Sequence, residues 1–389
     1  MTFIPPEMLV ATKLTRAGRV GEATALIQKF LSGQPDKGSK KSEAALIPPT
    51  LDLVAEDVMA KPAEPVARSH DVKKHRTGAR PGTRVYDHLS KIRPFQSPRL
   101  WHPSDLAPSQ GTFLIKTFRN GAGEREYKLY IPSREGGEPR PLILMLHGCT
   151  QSADDFAAGT RMNFAAEYRD CYVAYPEQTK SANPSKCWNW FDKAHQMQGH
   201  GEPAIIAGLI DQICRDHSID PRRVYIAGLS AGGAAAAVMG QAYPDLFAAV
   251  GVHSGLPCGI AQDLPSAFAA MKGGYVPTMP SHTIMPTIVF HGDRDTTVHP
   301  KNGAAIASRA VAKNCYEKAV EQGCVENGRR YSRHVHRDER RKIVVEEWII
   351  HDGGHAWSGG SNKGSFTDPL GPDATGEMLR FFLDHARPD

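Results

Sequence analysis

No run of this chain reaches the roughly 20 apolar residues that a membrane-spanning helix needs. Its first residues, MTFIPPEMLVATK, hold a glutamate and two prolines where a secretory leader would carry an apolar stretch. The expectation is a cytoplasmic protein with no transmembrane segment. Zinc-site spacing is missing too: the seven cysteines include no C-x-x-C pair, and no metal site is expected. In a cytoplasm the default is reduced thiols. Cys315 and Cys324, in NCYEKAVEQGC, have a spacing that allows a local disulfide. No internal repeat is visible. A strong charge excess is absent from most of the chain: residues 101–389 hold 30 Lys and Arg against 32 Asp and Glu, so nucleic acid is not an expected partner. The formal charge of +5 comes from residues 1–100, with 17 basic side chains against 10 acidic ones.

With 40% apolar residues among 389, the chain has enough to build a sizeable core. Residues 1–33 read as a short helical segment. Val10, Leu14 and Ala17 share one face, Gly18 breaks the run, and Val20, Ala23, Ile27 and Phe30 share a second face. Residues 34–110 are rich in proline, and their second half is basic, which reads as a linker. From 111 to 389 the texture is that of a folded domain. TFLIKTF and REYKLYIP form an expected hairpin across Asn120-Gly121. Apolar strand candidates follow at 141–146, 171–176, 223–228, 247–254, 286–292 and 343–350, with helices expected over 202–217, 231–242 and 373–386. Strands alternating with helices imply an α/β fold: a mainly parallel sheet covered on both faces.

The strongest chemical signal is Gly228-Leu229-Ser230-Ala231-Gly232. It follows the strand RVYIA and opens an alanine-rich helix, which is the context a nucleophile elbow requires. A serine needs a base, and the base needs an orienting acid. In the α/β-hydrolase fold these come in the order Ser, Asp or Glu, His, each just after a strand. HGDRDTTV offers Asp293 and Asp295; Asp295 fits the acid-loop pattern H-G-x-x-D-x-x-V, which leaves Asp293 as a turn residue. IIHDGGHAW offers His351 and His355. His351 continues the strand, whereas His355 lies beyond Gly353-Gly354 on a loop that can reach back over the sheet, so His355 is the expected base. An oxyanion hole needs two backbone N–H donors. Ala231 supplies one. The second is assigned to Cys149 in LMLHGCTQS, with Thr150 as the alternative.

Five blocks in order, LHGCTQSADDFA, CWNWF with GEPAIIAGLI, VYIAGLSAGGAAAAVMGQAYPDLFAAVGVHSGLPCG, HGDRDTTVHP and GGHAWSGG, resemble the esterase family of poly(3-hydroxybutyrate) depolymerases over 111–386. The resemblance implies an α/β-hydrolase fold, ester hydrolysis through an acyl-enzyme, and no metal or organic cofactor. Polyester depolymerases, feruloyl esterases and acetylxylan esterases are among such relatives, so the family leaves the ester open. The leading expectation is cleavage of poly(3-hydroxybutyrate) or its oligomers. Alternatives are a feruloyl or acetylxylan-type carbohydrate esterase, a general short-chain carboxylesterase, or a granule-associated binding protein with incidental esterase activity.

The resemblance also places CWNWF beside the active-site cleft. It implies that Trp188 or Trp190 faces substrate and that Trp357, beside His355, lines the same cleft, since aromatic faces suit an uncharged polyester. Glu202 is expected to cap the helix after that block. Cys187 is expected close to Cys149, with a bond between them disfavoured in a reducing compartment. The partner expected for residues 1–110 is the surface of a storage granule, held by apolar helix faces and basic charge.

Overall fold

The computed structural model describes residues 101–134, 137–274, 285–311 and 317–388. The two helices expected within 1–33, most of the linker, and Cys315 lie outside the described residues. Cys324 is an exposed free thiol. The described residues belong to one compact unit. Residues 101–107 are part of it: Trp101 Nε1 donates to Lys363 O at 3.0 Å, and Asn163 Nδ2 donates to Leu106 O at 2.8 Å.

The chain runs through α1 (Pro103–Leu106), β1 (Thr112–Asn120), β2 (Gly123–Ile131), β3 (Arg140–Leu146), α2 (Ala153–Thr160), α3 (Met162–Arg169), β4 (Tyr172–Pro176) and α4 (Gly201–Asp216). It continues with β5 (Ile219–Leu229), α5 (Ala231–Ala242), β6 (Ala249–His253), α6 (Leu264–Met271), β7 (Thr287–Gly292) and α7 (Lys301–Ala310). The last elements are β8 (Glu317–Cys324), β9 (Arg330–Arg337), β10 (Ile343–Ile350), the short pair β11 (Trp357–Ser358) and β12 (Thr367–Asp368), and α8 (Ala374–Leu383).

Ten strands form one sheet in the order β1-β2-β4-β3-β5-β6-β7-β10-β9-β8. The centre, from β4 to β10, is parallel, with an antiparallel hairpin at each edge. All six apolar strand candidates and the first hairpin are strands. The centre is buried on both sides because its residues alternate between two cores. Leu142, Leu144 and Leu146 of β3 join Ile205 and Leu209 of α4, Met239 of α5 and Ile306 of α7. Ile143 and Met145 join Phe156 of α2, Met162 of α3 and Phe382 of α8.

The hairpin β8–β9 was not foreseen. EKAVEQGC and RYSRHVHR carry few apolar residues, as an edge exposed to water allows. Its link to the sheet is electrostatic as well as backbone. The fully buried Glu346 of β10 accepts from Arg333 of β9 at 2.8 and 3.0 Å and from Arg380 of α8 at 2.7 and 2.8 Å.

Candidate active site

Ser230 stands between β5 and α5 with φ 58° and ψ −119°, a strained conformation for a residue with a Cβ. Two glycines permit the turn. A Cβ on Gly228 would lie 2.3 Å from the Gly232 backbone, and one on Gly232 would lie 2.0 Å from Leu146 O. Strand, turn and helix therefore close on one another tightly enough to lift the serine out of the sheet. The Ser230 N–H is tied to His253 O at 2.9 Å.

Asp295 and His355, the expected acid and base, lie side by side. Asp295 Oδ2 lies 2.7 Å from His355 Nδ1. Its other oxygen accepts the Thr297 and Val298 amides at 2.9 and 2.8 Å, and the side chain is wholly buried. Burial pushes this carboxyl up, but hydrogen bonds and charge from His291 and His355 outweigh it and hold the group well below the usual carboxylate range. His355 keeps Nε2 without a hydrogen bond among the described residues. None joins it to Ser230 Oγ in this structure, an arrangement that unliganded hydrolases often show before substrate draws the pair together. The rival pair is accounted for differently. Asp293 holds His351 Nδ1 at 3.0 Å and the Asp352 amide at 2.8 Å, while His351 Nε2 meets Ser332 Oγ at 2.9 Å. Both nitrogens of His351 are engaged, so it has none to offer a nucleophile.

The oxyanion alternatives separate as well. The Thr150 N–H donates to Ser185 O at 2.7 Å and is spent. The amides of Cys149 and Ala231 donate to no acceptor among the described residues. Gly148 brings the two segments together: a Cβ there would sit 3.5 Å from Leu229 O and 3.7 Å from Ser230 Cβ. The Ala231 donor is also the first residue of α5, where the helix dipole adds positive potential.

Three expectations need correction. Trp188 and Trp357 are fully buried and face no cleft, whereas Trp190, 6% exposed, lines a small cavity with Glu202 and Val238. Trp188 packs in the core beneath the oxyanion loop, its Nε1 donating to His147 O at 3.1 Å. Trp357 stacks on His253 with centroids 5.2 Å apart and donates to Thr375 Oγ1 at 3.0 Å. Trp190 packs with Ala231, Ala234 and Val238 against α5. An indole in a loop can face inward when a buried acceptor waits for its N–H, and that acceptor lies far away in sequence. Glu202 does not cap α4. It is buried and accepts the Asn189 amide and Asn189 Nδ2, both at 2.8 Å, with Arg125 at 3.6 Å. Cys149 and Cys187 do form a disulfide, which ties the oxyanion loop to CWNWF.

Sequence reasoning passed over four residues around this site: His147, Gln178, Glu202 as a loop anchor, and His291. The last is the histidine that opens HGDRD. Its Nε2 lies 2.8 Å from Val298 O and 3.3 Å from Asp295 Oδ2, bracing the acid loop.

The buried histidines predict an acid-labile fold. Desolvation lowers His147 to about 4 and His253 well below the ordinary value. Unfolded, both would bind a proton near pH 6.5. Their stabilising contribution is therefore complete above about pH 6.5 and falls as pH drops towards 4, by up to about 1.4 kcal/mol per pH unit for each histidine. Asp295, also depressed, continues the loss below its own unfolded value. Urea unfolding at pH 7.5, 6 and 5 should show a steady decline, and flat or rising stability would contradict it.

A family model for esterase PHB depolymerases matches residues 125–331. Poly(3-hydroxyalkanoate) depolymerase C of Paucimonas lemoignei is 34% identical over 203 residues, 48% of this chain and 48% of that protein. Acetylxylan esterase A of Aspergillus oryzae is 27% identical over 217 residues, 51% of this chain and 69% of that protein. Among solved structures, an acetyl xylan esterase from Aspergillus awamori superposes with a TM-score of 0.56 at 18% identity, over 70% of this chain and all of that one. The chain thus spans about half the length of the depolymerase it matches, and the solved structure supports the α/β-hydrolase fold.

Proposed function

This chain belongs to the esterase PHB depolymerase family, and from that premise we propose that it is a serine hydrolase of carboxylic esters, acting on poly(3-hydroxybutyrate) or related hydroxyalkanoate oligomers. The observations that carry the chemistry are the Asp295–His355 pair at 2.7 Å, the strained Ser230 turn and two unspent amides. Ser230 Oγ attacks the ester carbonyl while His355 Nε2 takes its proton. Asp295 keeps the other proton on Nδ1 and stabilises the imidazolium. The carbonyl oxygen, now negative, accepts from the Cys149 and Ala231 amides. Collapse expels the alcohol, which takes its proton from His355 and leaves an acyl-serine. Water, activated by the same histidine, then frees the acid and restores the hydroxyl.

The depolymerase relative supports the polyester substrate. A second reading, hydrolysis of acetyl esters on xylan, draws support from the acetylxylan esterase relative, whose length the match covers more fully. A storage-granule surface, reached through the basic character of residues 1–110, belongs to the same proposal. The Cys149–Cys187 disulfide weighs against a reducing compartment.

One comparison tests these readings. The purified chain is offered native granules, hydroxybutyrate oligomers, acetylated xylan and a soluble butyrate ester. Turnover of oligomers at least tenfold above acetylated xylan is expected. So is co-sedimentation with granules that weakens with salt, because exposed charge is screened over about 10 Å at 0.1 M. Faster release of acetate from xylan would favour the second reading, and salt-independent sedimentation would remove the charge-based tether.

A further inference from the structure

The Cys149 donor sits on the 148–149 peptide, whose plane is set by ψ of Gly148 and φ of Cys149. With no Cβ, Gly148 leaves its own ψ loosely restricted. The direction of the Cys149 N–H therefore depends on what holds this peptide from outside. Its neighbours are fixed: the Gly148 N–H donates to Gln151 Oε1 at 2.8 Å, and the Thr150 N–H is held by Ser185 O. Neither contact touches the 148–149 peptide. One side chain does. His147 Nδ1 lies 2.7 Å from Gly148 O, and the ring is buried.

The direction of that bond follows from the other ring nitrogen. The backbone N–H of Gln178 points at His147 Nε2 at 3.0 Å. A backbone amide can only donate, so Nε2 must be the acceptor and the ring proton must sit on Nδ1. His147 thus donates to Gly148 O. The carbonyl and the N–H of one trans peptide lie in one plane and point in opposite directions. Pinning Gly148 O on one side aims the Cys149 N–H to the other.

We propose that His147 is a positioning residue of the oxyanion hole: held as its Nδ1–H tautomer by the Gln178 amide, it fixes the Gly148–Cys149 peptide so that the Cys149 N–H faces the developing oxyanion. This rests on Cys149 being an oxyanion donor. It also gives the aromatic block a task. Gln178 Nε2 donates to Cys187 O at 3.0 Å and to Glu202, which in turn holds Asn189. Trp188 Nε1 holds the His147 carbonyl. CWNWF and its buried glutamate thus brace the histidine from behind, and burial keeps the ring neutral.

Two near-isosteric variants separate aim from packing. In His147→Asn the amide nitrogen can stand where Nδ1 stood and still donate to Gly148 O. In His147→Gln the side-chain oxygen can reach the Nε2 position and satisfy Gln178, but the donor to Gly148 is gone. Each loses one of the two ring contacts, so similar drops in melting temperature are expected. The kinetics should split. On a soluble butyrate ester, H147Q should lose about 10²-fold in kcat, the lower end of what full loss of one oxyanion donor costs. KM should change less than threefold, since the contact strengthens only as charge develops. H147N should recover to within about fivefold of wild type. Equal kcat losses in the two variants, or an H147Q within threefold of wild type, would overturn the proposal. Fluorophosphonate labelling of wild-type Ser230 serves as the control. A wild type that labels and turns over ester while the variants fail to split overturns the role of His147 alone. One that does neither overturns the serine-hydrolase reading and this proposal with it.

Discussion

Ser230→Ala should lower kcat on any accepted ester by about 10⁶-fold, leaving a residue of roughly 10³ over water from the oxyanion hole and binding. The size of the effect comes from losing the covalent route. His355 cannot compensate, because its free nitrogen is placed to take a proton rather than to bond carbon. Folding should survive. Alanine has the same Cβ as serine and meets the same backbone strain at φ 58°, and the Ser230 N–H bond to His253 O involves no side chain. The melting temperature should therefore stay within about 2 °C. Among the described residues the other serine with positive φ, Ser254, is fully buried and closed to reagents. Fluorophosphonate adducts should map to Ser230 alone and vanish in the variant. Turnover within tenfold of wild type, or an adduct elsewhere, would remove Ser230 from the nucleophile's place.

Much of this site could be read locally, and the part that could not has a common cause. Ser230 announces itself because strand, tight turn and helix are consecutive in sequence, with the glycines that the close approach needs. Asp295 and His355 each follow an apolar strand, so chain order and strand ends bring them forward as candidates, and the structure sets them 2.7 Å apart. Asp295 and Asp293, like His355 and His351, differ by their reach across the loop, and the acid-loop pattern and Gly353-Gly354 carried that difference. Cys149 and Thr150 could not be separated, because the acceptor that spends Thr150 is Ser185, some 35 positions away. The tryptophans were misread for a related reason. Whether an indole in a polar stretch faces water or core depends on a partner elsewhere, and for Trp188 that partner is the His147 carbonyl. The hairpin β8–β9 was missed because edge strands need no apolar face to pair. A resemblance to a family supplied the expected fold and chemistry, yet placed beside an open cleft two indoles, Trp188 and Trp357, that the core buries.

The choice between the two aspartates gives the second large effect. Asp295→Asn should cost about 10⁴-fold in kcat near neutral pH. The asparagine oxygen can still accept the Thr297 and Val298 amides, so the loop should keep its shape. Its amide then presents N–H towards His355 Nδ1, where the carboxylate accepted. A neutral imidazole answers by moving its proton to Nε2, the nitrogen that must receive the serine proton, and it also loses the charge that stabilises the imidazolium. Asp293→Asn should do far less. That carboxylate is more than a third exposed and serves His351 and the Asp352 amide at the surface. A loss below threefold is expected, with at most about 1 kcal/mol of stability. The two variants are compared by kcat on a soluble butyrate ester, with melting temperatures measured in parallel. If Asp293→Asn is the slow variant and Asp295→Asn keeps its rate, the acid is Asp293, and the 2.7 Å pair between Asp295 and His355 would then belong to the architecture of the loop.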